Sequence, residues 1–134
     1  MATLSVFITA FVLVSATNIC LAKEFIVGDE SGWTKGYDYK AWAKDKVFNV
    51  GDKLVFHYPV GAHNVFKVNA TGFQNCITSP TDQALTTGND IVFLATPGKK
   101  WYICGVGLHC ESGGQKLAIA VQFPQVAPSP SPSC

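Results

Sequence analysis

The sequence predicts an all-β domain, a sandwich or barrel of about seven short strands with one or two short helices. Three observations predict it. The 134 residues, 48% of them hydrophobic, suffice for one domain with one core. Short apolar segments are separated by glycine, asparagine and aspartate turns, and several segments alternate apolar with polar residues. The predicted strands are residues 25–27, 46–50, 53–58, 64–68, 90–94, 99–104 and 116–123.

Alternation in two of these strands predicts which side chains share a face of the sheet. Successive side chains of a strand point to opposite faces. In residues 53–58 one face carries Leu54, Phe56 and Tyr58, and the other carries Val55 and His57. In residues 116–123 we expect Leu117, Ile119 and Val121 to face the core. Between two strands, Tyr39, Trp42 and Ala43 have helical spacing, which predicts a short helix within residues 37–46.

The two ends of the chain differ in composition from the predicted domain. Residues 1–22 form an apolar run that ends in the small-x-small pattern Cys20-Leu21-Ala22, which is typical of a signal peptide. We expect cleavage after Ala22, with a signal anchor as the alternative. The domain then covers residues 23–123. The Pro/Ser-rich tail, residues 124–134, has too little apolar area to fold.

Composition and a sequon indicate the surroundings of the domain. Lys and Arg total 10 against 9 Asp and Glu, so no basic stripe is available for nucleic acid. Export places the chain outside the cell, in the wall or at the outer face of the plasma membrane, where a glycosylated tail can contact either surface. Asn69-Ala70-Thr71 is an N-glycosylation acceptor, which predicts a surface glycan at Asn69. We expect a monomer.

Three histidines stand in different sequence contexts. His57 lies inside a predicted strand, where we expect a partly buried structural residue. His63 lies in the turn 61–64 between two strands, and His109 follows Cys104 by five residues in a glycine-containing loop. Side chains in such loops can converge at one end of a sandwich. His63, Cys104 and His109 are therefore candidate ligands of one ion.

A blue-copper site fits this set of side chains. It requires two imidazoles and one thiolate in a roughly trigonal arrangement, with a weak axial ligand. His63, His109 and Cys104 supply the three strong ligands, and Gln115 is the candidate axial ligand. Thiolate favours Cu(I) and imidazole tolerates both oxidation states, so such a site suits one-electron transfer.

Three other interpretations stay open from the residues alone. A zinc site would use Cys104, His109, Cys110 and one more ligand, but the chain has no Cys-x-x-Cys pair. A Cys104–His109 nucleophile is conceivable, although no convincing orienting carboxylate accompanies it. The third is a disulfide-stabilised sandwich without a metal.

Several motifs, taken in order, resemble those of the plant phytocyanins. They are Phe25-Ile26-Val27-Gly28-Asp29 with Gly32-Trp33, Val50-Gly51-Asp52-Lys53-Leu54-Val55-Phe56, Ala62-His63-Asn64-Val65, Trp101-Tyr102-Ile103-Cys104 and His109-Cys110. Each motif is weak alone, and their order and spacing carry the resemblance over about residues 24–123. It implies a cupredoxin fold, a Greek-key sandwich of two sheets with one copper ion, Cu(I) or Cu(II), near one end.

The resemblance also implies roles for individual residues. It implies His63, Cys104 and His109 as copper ligands and a disulfide between Cys76 and Cys110. The sequence by itself allows three pairings among the four cysteines that remain after export. Under the implied pairing Cys104 stays a thiolate, and Cys134 is left over.

One departure from the family pattern concerns the axial ligand. In the stellacyanin-like branch the axial Gln stands five residues beyond the second ligand His, whereas Gln115 stands six beyond His109. A bulge at Gly113-Gly114 can absorb the extra residue. Gln115 also shares strand parity with Leu117, which predicts that it points inward toward the metal.

The function implied is that of a small extracellular electron carrier and not of an enzyme. Its redox partner, a small molecule or a protein, is not named by the sequence. We expect electrons to pass at the apolar rim 105–108 beside His109. The alternative is an extracellular glycoprotein module with a structural or copper-handling role.

Overall fold

Two β-sheets pack face to face in the computed structural model of the chain, which describes Ala10 and residues 22–125. The predicted signal peptide therefore lies almost entirely outside the described residues, and so do residues 126–134 of the tail with Cys134. In the described part, no helix has the length and apolar character needed to cross a membrane.

The predicted all-β sandwich is confirmed. Within residues 22–125 the strands are β1 (Glu24–Ile26), β2 (Phe48–Asn49), β3 (Lys53–His57), β4 (Phe66–Val68), β5 (Asn89–Phe93), β6 (Gly98–Ile103) and β7 (Lys116–Gln122). The helices are α1 (Tyr39–Lys44) and α2 (Ala70–Asn75), with a 3₁₀ turn at Asp29–Ser31. One sheet has the order β1-β3-β5 and the other β2-β7-β6-β4. β1–β3 and β2–β7 are parallel, and the other pairs are antiparallel.

The core lies between the sheets, and the predicted core face of β7 is confirmed. Leu54 and Phe56 of β3 have no exposed surface, and Tyr58 just beyond the strand is buried. The inward face of β7 consists of Leu117, Ile119 and Val121, all buried. Burying side chains of this size removes apolar surface from water, which is the main source of stability.

His57 departs from the prediction. The prediction of a partly buried structural residue is wrong, because the side chain of His57 is exposed. It lies at the end of β3 opposite Asn89, on the face turned away from the core. Its contribution to the fold is through the backbone, since its carbonyl accepts a hydrogen bond from the Trp33 amide at 2.8 Å.

The two helices begin with side-chain caps. The Asp38 carboxylate accepts from the Ala41 amide at 3.0 Å at the start of α1, inside the predicted helical segment 37–46. The Asn69 side chain accepts from the Gly72 amide at 2.8 Å at the start of α2. Such caps satisfy amides that have no partner within the helix. α2 packs Phe73 against a second apolar cluster on the outer face of the four-stranded sheet.

Candidate metal centre

The three predicted strong ligands come from two loops at one end of the sandwich. His63 ends the turn that begins at Pro59, whose carbonyl accepts from the Ala62 amide at 3.0 Å. Cys104 follows β6 directly, and His109 lies in the loop that leads from β6 to β7. The fold thus brings together residues 41 and 46 positions apart in the chain.

Donor atoms of these three side chains face one another. His63 Nδ1 lies 3.0 Å from His109 Nδ1, and Cys104 Sγ lies 4.0 Å from His63 Nδ1 and 3.7 Å from His109 Nδ1. Ligands bound at about 2.0–2.3 Å from a shared ion have separations of this size. Within the described residues no other group of three or more His, Cys, Asp and Glu side chains is placed to hold a metal ion.

The chemistry of this donor set fits copper. Cys104 is buried and outside any disulfide, so its sulfur is available to bind a metal. Burial, and secondarily the neighbouring His109 and Lys35, lower the pKa of His63 below its ordinary value. A lowered pKa favours the neutral imidazole, which is the form that binds a metal. Two imidazoles and one thiolate are the strong ligands of blue-copper sites.

Gln115 is fully buried beside this set, and its side chain has no partner. Neither the amide oxygen nor the amide nitrogen makes a hydrogen bond to the described residues. The Gln115 amide donates to the His109 carbonyl and the Gln115 carbonyl accepts from the Cys104 amide, each at 3.0 Å. A buried amide without partners is costly, so this one calls for an explanation. A weak bond from its oxygen to a metal would supply one.

Two glycines take up the extra residue before Gln115. Gly114 has φ of +61°, in the left-handed region that favours glycine. A Cβ at Gly113 would lie 2.6 Å from the His109 carbonyl oxygen and 2.6 Å from the Lys35 Cβ. The backbone therefore turns sharply at these two glycines. After the turn, the Gln115 amide donates its hydrogen bond to the His109 carbonyl.

A disulfide holds the His109 loop to α2. Cys76 and Cys110 are bonded, with their Cα atoms 5.7 Å apart and a sequence separation of 34. Cys76 ends α2 in the left-handed conformation, and Cys110 directly follows His109. The bond therefore restrains the backbone next to one candidate ligand while Cys104 stays outside it.

Asn64 links the two loops, a role that the sequence analysis did not assign. Its side-chain oxygen accepts from the Gly105 amide at 2.7 Å, and its carbonyl accepts from Trp33 Nε1 at 2.8 Å. A hydrogen bond therefore joins the residue that follows His63 to the residue that follows Cys104. An asparagine directly after a candidate ligand in a turn was the available sequence signal, but its partner lies 41 residues away.

A buried polar network lies behind His63. The Tyr58 hydroxyl donates to the Asp90 carboxylate and is 3.0 Å from the Leu85 carbonyl, while Thr87 donates to Asp90. Burial, and then the bond to Asp90, raise the pKa of Tyr58 to about 12. The ring of Tyr58 meets that of His63 edge-on at 6.3 Å between centroids. These hydrogen bonds thus hold Tyr58 in place beside the His63 imidazole.

Apolar side chains surround the exposed edge of the centre. Leu108, next to His109, is 66% exposed, and Val60, bridged to His63, is 75% exposed. Both imidazoles are partly exposed, whereas Cys104 is buried. The ring edges, and not the sulfur, are therefore the part of the centre that a partner can approach.

Asn69, the predicted glycosylation residue, lies on the surface, six positions after His63 in the chain. It is exposed and caps α2 through its side-chain oxygen. The amide nitrogen of the same side chain has no part in that cap.

Comparison with known proteins relates both fold and site to one family. The profile of the plastocyanin-like domain family matches residues 33–114. A blue copper protein of Petunia hybrida is 59% identical over 115 residues, covering 81% of this chain and 43% of that protein. Blue copper protein 1a of Medicago truncatula is 50% identical over 127 residues, covering 95% of this chain and 78% of that protein. The chain therefore spans less than half the length of the Petunia relative.

Among solved structures, a Cu²⁺ form of cucumber stellacyanin shares the fold. It superposes with a TM-score of 0.72 at 36% identity and covers 78% of this chain and 98% of the stellacyanin chain. The sandwich fold is thus one that a copper-containing relative also has.

Proposed function

Since the chain belongs to the plastocyanin-like family and, within it, to the plant blue copper proteins, we propose that it binds one copper ion and carries single electrons. One observation carries the proposal. A free thiol and two imidazoles, contributed by separate loops, place their donor atoms within 4.8 Å of one another. That set of ligands is the one on which blue-copper electron transfer depends.

The chain's contribution is to hold the ligands in one arrangement. His63, Cys104 and His109 are the strong ligands, and copper supplies a one-electron couple between Cu(I) and Cu(II). The disulfide beside His109 and the Asn64–Gly105 bond restrain both loops. Ligands that move little between the two oxidation states lower the cost of each electron transfer, so rigidity here is functional.

Gln115 would be the weaker fourth ligand in this proposal, through its side-chain oxygen. Gln115→Met replaces an oxygen donor by a softer thioether, which favours Cu(I), so the reduction potential rises. Gln115→Leu, of similar size and without a donor, is the matched control for lost packing. If the reduction potential is unchanged in both variants, Gln115 is not a copper ligand.

Electrons enter and leave at the apolar edge beside His109. Leu108→Lys adds a charge there and slows or accelerates exchange with a charged redox partner, while the copper spectrum stays unchanged. Val47→Lys is the control, because Val47 is also an exposed aliphatic residue but precedes β2, which pairs with the far end of β7. Equal effects of the two substitutions would contradict a port at Leu108. The partner is a small molecule or a protein with an apolar contact face.

The visible spectrum of the Cu(II) protein tests the site directly. The wild type should show an intense thiolate-to-copper band, and Cys104→Ser should lose it while keeping the fold. A colourless wild type with the same stability with and without copper would indicate a structural glycoprotein instead. Ready loss of copper from a coloured protein would indicate a copper-handling role.

Export and glycosylation complete the proposal. Residues 1–22 are a signal peptide, residues 23–123 the secreted domain and residues 124–134 a wall- or membrane-facing tail. A glycan on the Asn69 amide nitrogen leaves the side-chain oxygen free to cap α2. Protein secreted by plant cells should begin at Lys23 and carry a glycan at Asn69 by mass spectrometry. Thr71→Ala should remove the glycan and keep the cap, and a glycan that persists in this variant would place it elsewhere.

A further inference from the structure

A groove on the outer face of the four-stranded sheet lies apart from the donor set of the metal centre. α1 lines it with Lys40, Ala43 and Lys44, and β7 lines it with Ala118 and Ala120. The groove has a volume of about 1100 Å³, just above the range of about 300–1,000 Å³ that is typical of small-molecule sites. No residue of the His63, Cys104 and His109 set contributes to it.

The floor of the groove is apolar. The inward face of β7 is buried in the core, whereas Ala118 and Ala120 point outward and are exposed. Alanine leaves the space above the sheet open and offers no side-chain hydrogen bond. Tyr37 and Phe73 add aromatic surface to the lining. These surfaces favour a planar apolar body over a polar sugar.

The charged groups of the groove are nearly all positive. Its lysines are Lys40, Lys44, Lys46 and Lys116, and its single carboxylate is Asp38. Asp38 is occupied as the cap of α1, where it accepts from the Ala41 amide.

Two of these lysines are held in place by the protein. The Lys46 ammonium donates to the Trp42 carbonyl at 2.8 Å and lies 4.5 Å from the Trp42 ring centre. The Lys116 ammonium donates to the Phe73 carbonyl at 3.0 Å and lies 4.5 Å from the Phe73 ring centre. Ammonium groups fixed beside an apolar floor can bind an anion without first being ordered.

We propose that this groove binds a small aromatic carboxylate, with its ring on Ala118 and Ala120 and its carboxylate among the lysines. Charge complementarity selects an anion, and the apolar floor selects the ring. The side chains of residues 126–134 of the tail offer no carboxylate to the lysines, because these residues contain neither Asp nor Glu. The site does not depend on copper.

Titration with cinnamate tests the proposal on the full secreted chain, both metal-free and loaded with Cu(I). Saturable shifts of the amide signals of residues 40–44 and 116–120 are expected in both forms. Cinnamyl alcohol, which has the same ring without the charge, should bind much more weakly. Lys46→Gln combined with Lys116→Gln should weaken cinnamate about tenfold, whereas Lys67→Gln on β4 should not. Ala118→Phe should fill the floor and abolish binding.

Three results would overturn the proposal. Equal binding of cinnamate and cinnamyl alcohol would show that the lysines do not select a charge. Displacement of cinnamate by polygalacturonate at equal carboxylate concentration would identify an acidic polysaccharide as the ligand class. Shifts confined to residues 104–115 would place the anion at the metal centre. Because binding is expected without copper, failure of the proposed electron transfer would leave this test unaffected.

Discussion

The interior of the sandwich and the loops that carry the metal ligands are held together by different interactions. The interior consists of large apolar side chains that alternate along the strands, such as Phe56 and Leu117, both almost fully buried. The loops contain few such residues and depend on one disulfide, on Asn64 and on backbone bonds around Gln115. Stability therefore resides mainly in the interior, and the geometry of the site resides in a few polar contacts. Substitutions in the interior should therefore mainly change stability, and substitutions in the loops should mainly change the metal site.

The largest effect is expected in the interior. Phe56→Ala leaves a cavity between the sheets and should lower the free energy of unfolding by about 3–5 kcal/mol. Urea unfolding followed by fluorescence measures it. Phe93→Ala is the control, because Phe93 is 66% exposed on the other face of its sheet. Similar losses for both variants would contradict the assignment of the core.

Removal of the disulfide should have the next largest effect. Cys76→Ser combined with Cys110→Ser opens a loop with a sequence separation of 34 and should cost about 2–4 kcal/mol. Copper should also dissociate faster, because the backbone at His109 loses its restraint. The thermal midpoint and the rate of copper transfer to a chelator measure the two effects. A lower midpoint with unchanged copper release would mean that the disulfide supports only the fold.

Loss of the link between the loops should affect the site more than the fold. Asn64→Ala removes the bond to the Gly105 amide and should cost about 0.5–1.5 kcal/mol of unfolding free energy. The visible band and the reduction potential should shift, because the His63 and Cys104 loops are no longer tied. Asn64→Asp keeps an acceptor and should restore most of the spectrum. A wild-type spectrum in Asn64→Ala would mean that the link is dispensable.

The smallest effect is expected where the two regions meet, at Tyr58. Its pKa is raised from 10.0 to about 12, so the folded state favours the protonated phenol. The resulting stability is complete below about pH 10 and is lost as the pH rises through about 12. Tyr39 and Tyr102 have pKa values raised to about 12 as well. Tyr58→Phe should therefore reduce, but not abolish, the alkaline loss of stability measured by urea unfolding.

The contrast between the interior and the loops also explains which features the sequence could predict. Strand faces follow from local alternation, so the buried set of β3 and β7 was predictable. The helix α2 was not placed, because Ala70–Asn75 contains a glycine and a single large apolar residue, Phe73. Its formation depends on the Asn69 cap and on packing against the sheet. Whether His57 is exposed depends on which face of its sheet is covered. Alternation alone does not show which face that is.

The ligand types were predictable, but their surroundings were not. His63 and His109 have distinctive side chains in predicted loops, Cys104 ends the predicted strand 99–104, and the family pattern marks all three. The partners of Asn64 and Tyr58 lie 41 and 32 residues away in the chain, so only the folded structure shows them. The position of Gln115 depended on how Gly113 and Gly114 turn the backbone.

Voltammetry of the copper-loaded protein tests the central claim most directly. We expect a reversible one-electron wave for the wild type and for the Val47→Lys surface control. Cys104→Ser, folded and loaded with copper, should lose the wave or shift it far from the wild-type potential. A wild type that binds copper but shows no reversible wave, or a Cys104→Ser variant that keeps the wild-type wave, would contradict an electron carrier built on this His-Cys-His centre.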